Sequence, residues 1–177
     1  MNKEIKYKFL IKQYSNIVYT YALYMMKDKM DADDVTQEVL IKIWDKENSF
    51  NILKAKSWIM RTTHNLCIDY LRRRSISYSR EISISEEFDD MYNLSDEQNE
   101  PESQTHVKFM SEKIKKEIQK LPENLKSVFV LYEINGFKYR EISKTLGIPV
   151  NSVKVYLMRA RKKLQEQLKN YEAQEVL

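Results

Sequence analysis

Apolar positions along this chain recur at helical spacing almost from end to end, and nowhere do they alternate as a half-buried strand requires. From Phe9 to Met25 the stripe is Leu10, Tyr14, Ile17, Val18, Tyr21 and Met25. A turn through Lys27–Met30 is expected next, with Asp31 as N-cap and Asp33 and Asp34 in a first helical turn, where the helix dipole favours acids. The helix that follows has Ala32, Val35, Val39 and Ile43 on its core face and Asp34, Gln37, Glu38 and Ile41 on the other. Glu47–Lys54 breaks the period and reads as a loop. Residues 56–74 form the next helix. Its core arc is Ile59, Met60, Thr63, Leu66, Cys67, Tyr70 and Leu71, and its opposite arc is Trp58, Arg61, Thr62, Asn65, Asp69 and Arg72.

Residues 75–105 show no sustained period. Val107–Lys120 regains it through Phe109, Met110, Ile114 and Ile118. Pro122 sits in the first turn of another helix, with Leu125, Val128, Phe129 and Tyr132 on one face, and Asn135-Gly136 supplies a turn. Lys138 to Leu164 then reads as helix, tight turn, helix. Ile142 and Leu146 face inward, Gly147 is suited to a left-handed stop, and Pro149 stands near the start of the second helix. On that helix Val153, Leu157, Ala160 and Leu164 form one apolar stripe. Asn151, Lys154, Val155, Met158 and Lys162 lie opposite, flanked by Arg159 and Arg161.

The predicted fold class is therefore all-α: two small helical domains, an N-terminal helical bundle (1–74) and a C-terminal four-helix domain with a helix-turn-helix (106–170). A flexible acidic linker (75–105) joins them, and a polar tail covers 171–177. Only two Gly and three Pro in 177 residues agree with this. The net charge of +4 conceals strong segregation. The first 74 residues carry 14 Lys and Arg against 9 acids, residues 75–105 carry 1 against 9, and the remainder 15 against 8. Two basic blocks around an acidic one suggest two nucleic-acid-facing domains on a solvated tether, although each block could simply be a soluble surface. A single cysteine, Cys67, excludes an internal disulfide and suits a reducing compartment. The N-terminus is too polar for a signal peptide and no apolar run reaches spanning length, so a cytoplasmic chain without membrane insertion is expected.

Three surfaces carry candidate chemistry. An outward Ile41 among Asp34, Gln37 and Glu38 resembles the centre of a protein-binding patch, one whose acidity directs it to a basic protein rather than to DNA. Trp58 beside Arg61 could stack a base while the arginine meets phosphate, as proteins hold single strands; equally, it could pack under the preceding loop. The basic face of the 138–164 hairpin suits a major groove, or is the solvated side of an ordinary helical pair. No nucleophile–base set, glycine-rich phosphate loop or metal-ligand cluster stands out. His64 and His106 are isolated. No enzyme activity, catalytic residue, metal or cofactor is expected.

Together, DADDVTQEVLIKIW, SWIMRTTHNLCIDYLRRR and LPENLKSVFVLYEINGFKYREISKTLGIPVNSVKVYLMRARKKL resemble a bacterial RNA polymerase sigma factor of the compact extracytoplasmic-function (ECF) group. The resemblance covers nearly all of the chain outside linker and tail. It implies that Asp33, Asp34, Gln37, Glu38 and Ile41 bind the clamp helices of the polymerase's largest β-type subunit. It implies that Asn48, Ser49, Phe50 and Asn51 take a base flipped from the promoter −10 element, and that Trp58, Arg61, Asn65, Asp69 and Arg72 meet that element as it melts. The acidic linker resembles a segment threaded through the RNA exit path. Asn151, Lys154, Val155, Met158, Arg159 and Lys162 would read the −35 element. The implied partners are core RNA polymerase, including its β flap, and promoter DNA, with an anti-sigma or other targeting factor as a further candidate.

The chain departs from the family pattern at three positions. Ser143 replaces a common alanine in the helix-turn-helix, His64 replaces a common arginine, and Val155 stands where a polar residue is frequent. Valine can touch a thymine methyl but cannot hydrogen-bond a base. The rival readings are a stand-alone DNA-binding regulator and a protein-interaction adaptor that never touches DNA.

Overall fold

The computed structural model describes residues 3–46, 51–81 and 102–175, and every regular element among them is helical. They are α1 (Lys3–Met26), α2 (Lys29–Lys46), α3 (Ile52–Glu81), α4 (Glu102–Lys120), α5 (Glu123–Phe129), α6 (Tyr139–Leu146) and α7 (Val150–Glu175). A π-helical segment, Val130–Ile134, continues α5 without a break.

The N-terminal unit packs α1, α2 and α3 side by side. Leu10, Tyr14, Val18, Tyr21 and Met25 of α1 meet Ala32, Val35, Val39 and Ile43 of α2, as expected of each helix, while Ala22 joins the core and Ile17 is only half-buried. The α1–α2 turn is tighter than the sequence suggested. Lys27 takes a left-handed conformation (φ 65°), and Asp28 Oδ1, rather than an Asp31 cap, accepts the Asp31 N–H at 3.0 Å. The cap belongs to Asp28 because α2 already begins at Lys29, which puts Asp31 in the first turn, where its carboxylate meets Arg74 at 3.0 Å. On α3, Ala55, Ile59, Met60, Thr63 and Cys67 are buried while Leu66, Tyr70 and Leu71 are half-buried at the rim. Burial pushes the Cys67 thiol up to about 12, so it behaves as a small apolar side chain.

Several boundaries move. Helix α3 begins inside the expected 47–54 loop and runs to Glu81, seven residues past the expected domain edge. Helix α4 starts at Glu102 and α7 continues through most of the expected tail. Chain ends of helices are the least legible feature of a sequence, because polar residues such as Glu and Gln extend a helix without adding to its stripe. Pro122 is the N-cap of α5 rather than its first residue, with its carbonyl accepting Lys126 N–H at 2.8 Å.

In the C-terminal unit the π turn changes which residues face inward. Leu125 and Val128 are buried as expected, and Phe129 and Tyr132 are half-buried; Val130 and Leu131 take up the core positions instead. A single wide turn adds one residue to the period and rotates the face. On α4, Ile118 is buried, Met110 is half-buried and Ile114 is 38% exposed; the Phe109 side chain lies outside the described residues. Asn135 ends the π segment, with its N–H bonded to Val130 carbonyl at 2.9 Å, and Gly136 turns the chain at φ 69°.

The two units are joined by direct contact. Ser127 Oγ lies 3.9 Å from Met25 Sδ, Asn135 Nδ2 donates to Ile17 carbonyl at 3.4 Å, and α3 lies along α6.

Candidate polymerase and promoter interfaces

The first surface is the outer face of α2. Because Ala32, Val35, Val39 and Ile43 point inward at 3- and 4-residue spacing, Asp33, Asp34, Gln37 and Ile41 are forced outward. Ile41 is 59% exposed. Glu38 is half-buried and tied to Lys42 one turn on at 3.3 Å, an ion pair in solvent that contributes little. Beside this face, between the start of α2 and the end of α3, lies a groove of about 510 Å³. Met30, Asp31, Asp34, Tyr70, Arg73 and Arg74 line it. Met30 and the two arginines were not singled out from the sequence; the signal was the RRR run at 72–74, of which only Arg72 was read.

The second surface is on α3. Asn65 and Arg72 are exposed, and Arg72 holds Asp69 at 3.2 Å. Trp58 is half-buried and packs against the core. Arg61 is turned towards α6: its Nε donates to Thr145 carbonyl at 3.3 Å and a terminal nitrogen donates to Lys144 carbonyl. His64 points the opposite way, inward. Its Nδ1 is hydrogen-bonded with the Tyr21 hydroxyl at 2.8 Å, and burial lowers its pKa to about 4, so it is neutral at physiological pH. Asn51 is exposed, with its carbonyl accepting Lys54 N–H at 2.9 Å. Asn48, Ser49 and Phe50 lie outside the described residues.

The third surface is the helix-turn-helix of α6 and α7. Gly147 adopts φ 68°, and Ser143 carbonyl accepts both Gly147 N–H (2.9 Å) and Ile148 N–H (3.2 Å). The Ser143 hydroxyl closes the turn further by donating to Ile148 carbonyl at 2.6 Å. The serine thus adds a bond that alanine could not make. Glu141 reaches back to Lys138 N–H at 2.8 Å and caps the start of α6. Val153, Leu157, Ala160 and Leu164 are buried, so Asn151, Lys154, Val155, Met158, Arg159 and Lys162 are displayed on the outer side of α7. Met158 is 61% exposed at the centre of this face. Arg161 is turned away: it meets Glu133 at 2.6 Å and lies over the Tyr132 ring, which stacks on Tyr139. That cluster pins α7 to the preceding elements and removes one cation from the basic face.

A further apolar groove of about 510 Å³ runs between α4, the end of α5 and α7. Ile114, Phe129, Leu164 and Leu168 line it, with Glu133 and Arg161 at its edge. Lys126 of α5 is buried at the junction with the N-terminal unit, and desolvation lowers its pKa to about 8.

An acidic, apolar-centred helix face and a helix-turn-helix on one all-α chain define a two-region, sigma-70-type architecture. Residues 10–76 match the family model for sigma-70 region 2, and residues 111–164 match that for sigma-70 region 4. The chain is 31% identical to the ECF RNA polymerase sigma factor SigM of Bacillus subtilis, over 88% of this chain and 90% of that protein. It is 27% identical to the ECF sigma factor SigE of Mycolicibacterium smegmatis, over 93% of this chain but 62% of that longer relative. The sigma factor RpoE from Bartonella quintana, solved with the anti-sigma factor NepR, superposes with TM-score 0.68 at 21% identity, covering 92% of this chain and 96% of that one. CnrH, solved with the cytosolic domain of CnrY, gives 0.65 at 19% identity, covering 93% and 88%. The chain belongs to the extracytoplasmic-function sigma factors of bacterial RNA polymerase. No helix among the described residues is long and apolar enough to cross a membrane.

Proposed function

We propose that this chain binds core RNA polymerase, recognises the −10 and −35 elements of its promoters, and promotes the DNA melting that begins transcription. The observation that carries this is the presence on one chain of two exposed faces of opposite character, the acidic Ile41 face of α2 and the basic Met158 face of α7. A DNA reader alone has no use for the first, and an adaptor alone has none for the second.

Asp33, Asp34, Gln37, Glu38 and Ile41 dock on the clamp helices of the largest β-type subunit. Ile41 supplies the desolvated centre of the contact and the carboxylates its orientation toward a basic partner. The apolar groove beside α4 and α7 is the surface suited to the β flap. On DNA, Trp58, Asn65, Asp69 and Arg72, with Arg61 once it is released from α6, meet the −10 element, while residues 48–51 receive an unstacked base. Capture of that base offsets an unstacking cost of a few kcal/mol and so drives strand opening. Asn151, Lys154, Arg159 and Lys162 engage the −35 element through phosphates and base edges, with Val155 and Met158 offering only apolar contact. The chain positions DNA for the polymerase's chemistry, needs no metal or cofactor of its own for that role, and acts in the cytoplasm, where polymerase is. An anti-sigma factor is a fitting regulator, since the structural neighbour RpoE was solved with one.

The test is transcription from genomic fragments by purified core polymerase with and without the chain. New start sites appearing only in its presence are expected. Tight promoter binding without polymerase would instead indicate a stand-alone regulator, and wild-type start sites after Lys154→Glu with Arg159→Glu an adaptor.

A further inference from the structure

On α7 the buried stripe Val153, Leu157, Ala160 and Leu164 fixes which side chains point straight away from the core. With 3.6 residues per turn these are Asn151, Val155, Met158 and Lys162, while Lys154 and Arg159 stand at the two edges of that face. All six are exposed. The middle of the face is therefore two apolar side chains with a cation on each flank. Arg161, the cation nearest to them on the helix surface behind Met158, is withdrawn onto Glu133 and the Tyr132 ring and does not dilute that centre. A single apolar residue on a surface needs no explanation, but two neighbours at the middle of a cation-flanked recognition helix do. The flanking charges suit a groove walled on both sides by phosphates, and the apolar centre then decides what lies on its floor.

We propose that this centre reads 5-methyl groups: α7 takes a major groove in which two adjacent base pairs present pyrimidine methyls, which in ordinary DNA means thymines. The inference rests on the −35 role of α7 argued above and names what that face selects. Among the groups on a major-groove floor only the thymine methyl is apolar; the other bases offer N7, O6, N6 or N4. Val155 and Met158 laid over such a polar edge strip its water and return no hydrogen bond, whereas a methyl loses nothing by the contact. The two side chains are three residues apart, about 4.5 Å along the axis, close to the rise of roughly 3.4 Å per base pair, so each meets its own pair. Val155 is β-branched and stiff, and fixes one methyl; Met158 is unbranched and can follow a methyl on either strand of the neighbouring pair. Asn151, one turn before Val155, remains as the hydrogen-bonding reader, a side chain suited to adenine N6 and N7. Because neither apolar side chain bonds to O4 or N4, 5-methylcytosine satisfies the same contact, and cytosine methylation within the element becomes a signal that the chain registers.

Uracil in place of thymine deletes the methyl and keeps every hydrogen-bonding group, so the two bases separate methyl contact from all else. The full chain, with and without core polymerase, is offered a pool of randomised duplexes. Those retained by the wild type and lost by Lys154→Glu with Arg159→Glu are the ones held through α7. Adjacent thymines should be enriched in them, and remaking them with uracil should weaken binding about fourfold per methyl, the effect of burying one such group. Val155→Ala with Met158→Ala, both at exposed positions, should melt as the wild type does and bind thymine and uracil duplexes alike. At either thymine position 5-methylcytosine, with guanine opposite, should bind more tightly than cytosine. Equal binding of thymine and uracil duplexes by the wild type overturns the proposal. So does a double variant that keeps the full difference, since the methyl is then felt through DNA shape or another residue. The sigma reading fails separately: a thymine preference that core polymerase neither strengthens nor turns into transcription starts leaves methyl recognition standing, on a stand-alone regulator. No retained duplex, with or without core, overturns both.

Discussion

At the residue scale, the most informative side chain is His64. The helical wheel left its role open, and its neighbour Asn65 is exposed, yet His64 lies between α3 and α1, hydrogen-bonded with the Tyr21 hydroxyl. A protonated imidazole there would place a charge where burial disfavours it. Its pKa is lowered by burial from 6.5 to about 4, so the unfolded chain binds the proton more readily than the folded one. The stability it protects is complete above pH 6.5 and is lost as pH falls from about 6.5 towards 4, with a slope of at most about 1.4 kcal/mol per pH unit. Urea unfolding at pH 7 and pH 5 should therefore show a larger loss for the wild type than for His64→Asn, whose amide can still hydrogen-bond Tyr21 but takes up no proton in this range. Parallel losses in the two proteins would exclude the imidazole as the cause. Lys126 presents the same physics with an amine: desolvation at the junction of the units favours its neutral form.

At the element scale, the helix-turn-helix was the most legible part of the chain. Its inward stripe, Val153, Leu157, Ala160 and Leu164, emerged without a change, and Gly147 turns left-handed where the sequence placed a stop. A β-carbon at Gly147 would meet nothing within 4 Å, so replacement by alanine incurs only the conformational cost of φ 68°. Gly147→Ala should destabilise by about 1 kcal/mol in thermal or urea unfolding while leaving core-polymerase affinity intact. A neutral effect would mean that α6 ends equally well without a left-handed residue. The α5 region was less legible. Its stripe was read with a constant period, and the π turn at Val130–Ile134 broke that assumption by exchanging Phe129 and Tyr132 for Val130 and Leu131 in the core. Such a turn is stabilised by what packs on it, here α1 through Asn135 and Ile17, so no local pattern announces it.

At the scale of the whole molecule, the partner face of α2 and the packing of α2 are separable. Asp34 is exposed and Glu38 is paired with Lys42 in solvent, so Asp34→Arg with Glu38→Arg should abolish core-polymerase binding with a melting temperature within a few degrees of wild type. Undiminished affinity in that double variant, measured by fluorescence titration against core enzyme, would move the docking surface off α2. What the sequence determined by itself depends on neighbours three and four positions apart: the helices, the buried stripes wherever the period stays constant, and the acidic and basic faces left outside. Those follow because helical geometry is fixed and each stripe must leave water. What only the tertiary structure decided is how those faces meet. Lys56 with Glu141, Arg61 with the end of α6 and Tyr21 with His64 are all partnerships across more than 40 residues. Lys56, Glu141 and Arg61 would be as content in solvent by local rules, so their partners are set by how the packed helices close on one another and not by any spacing along the chain.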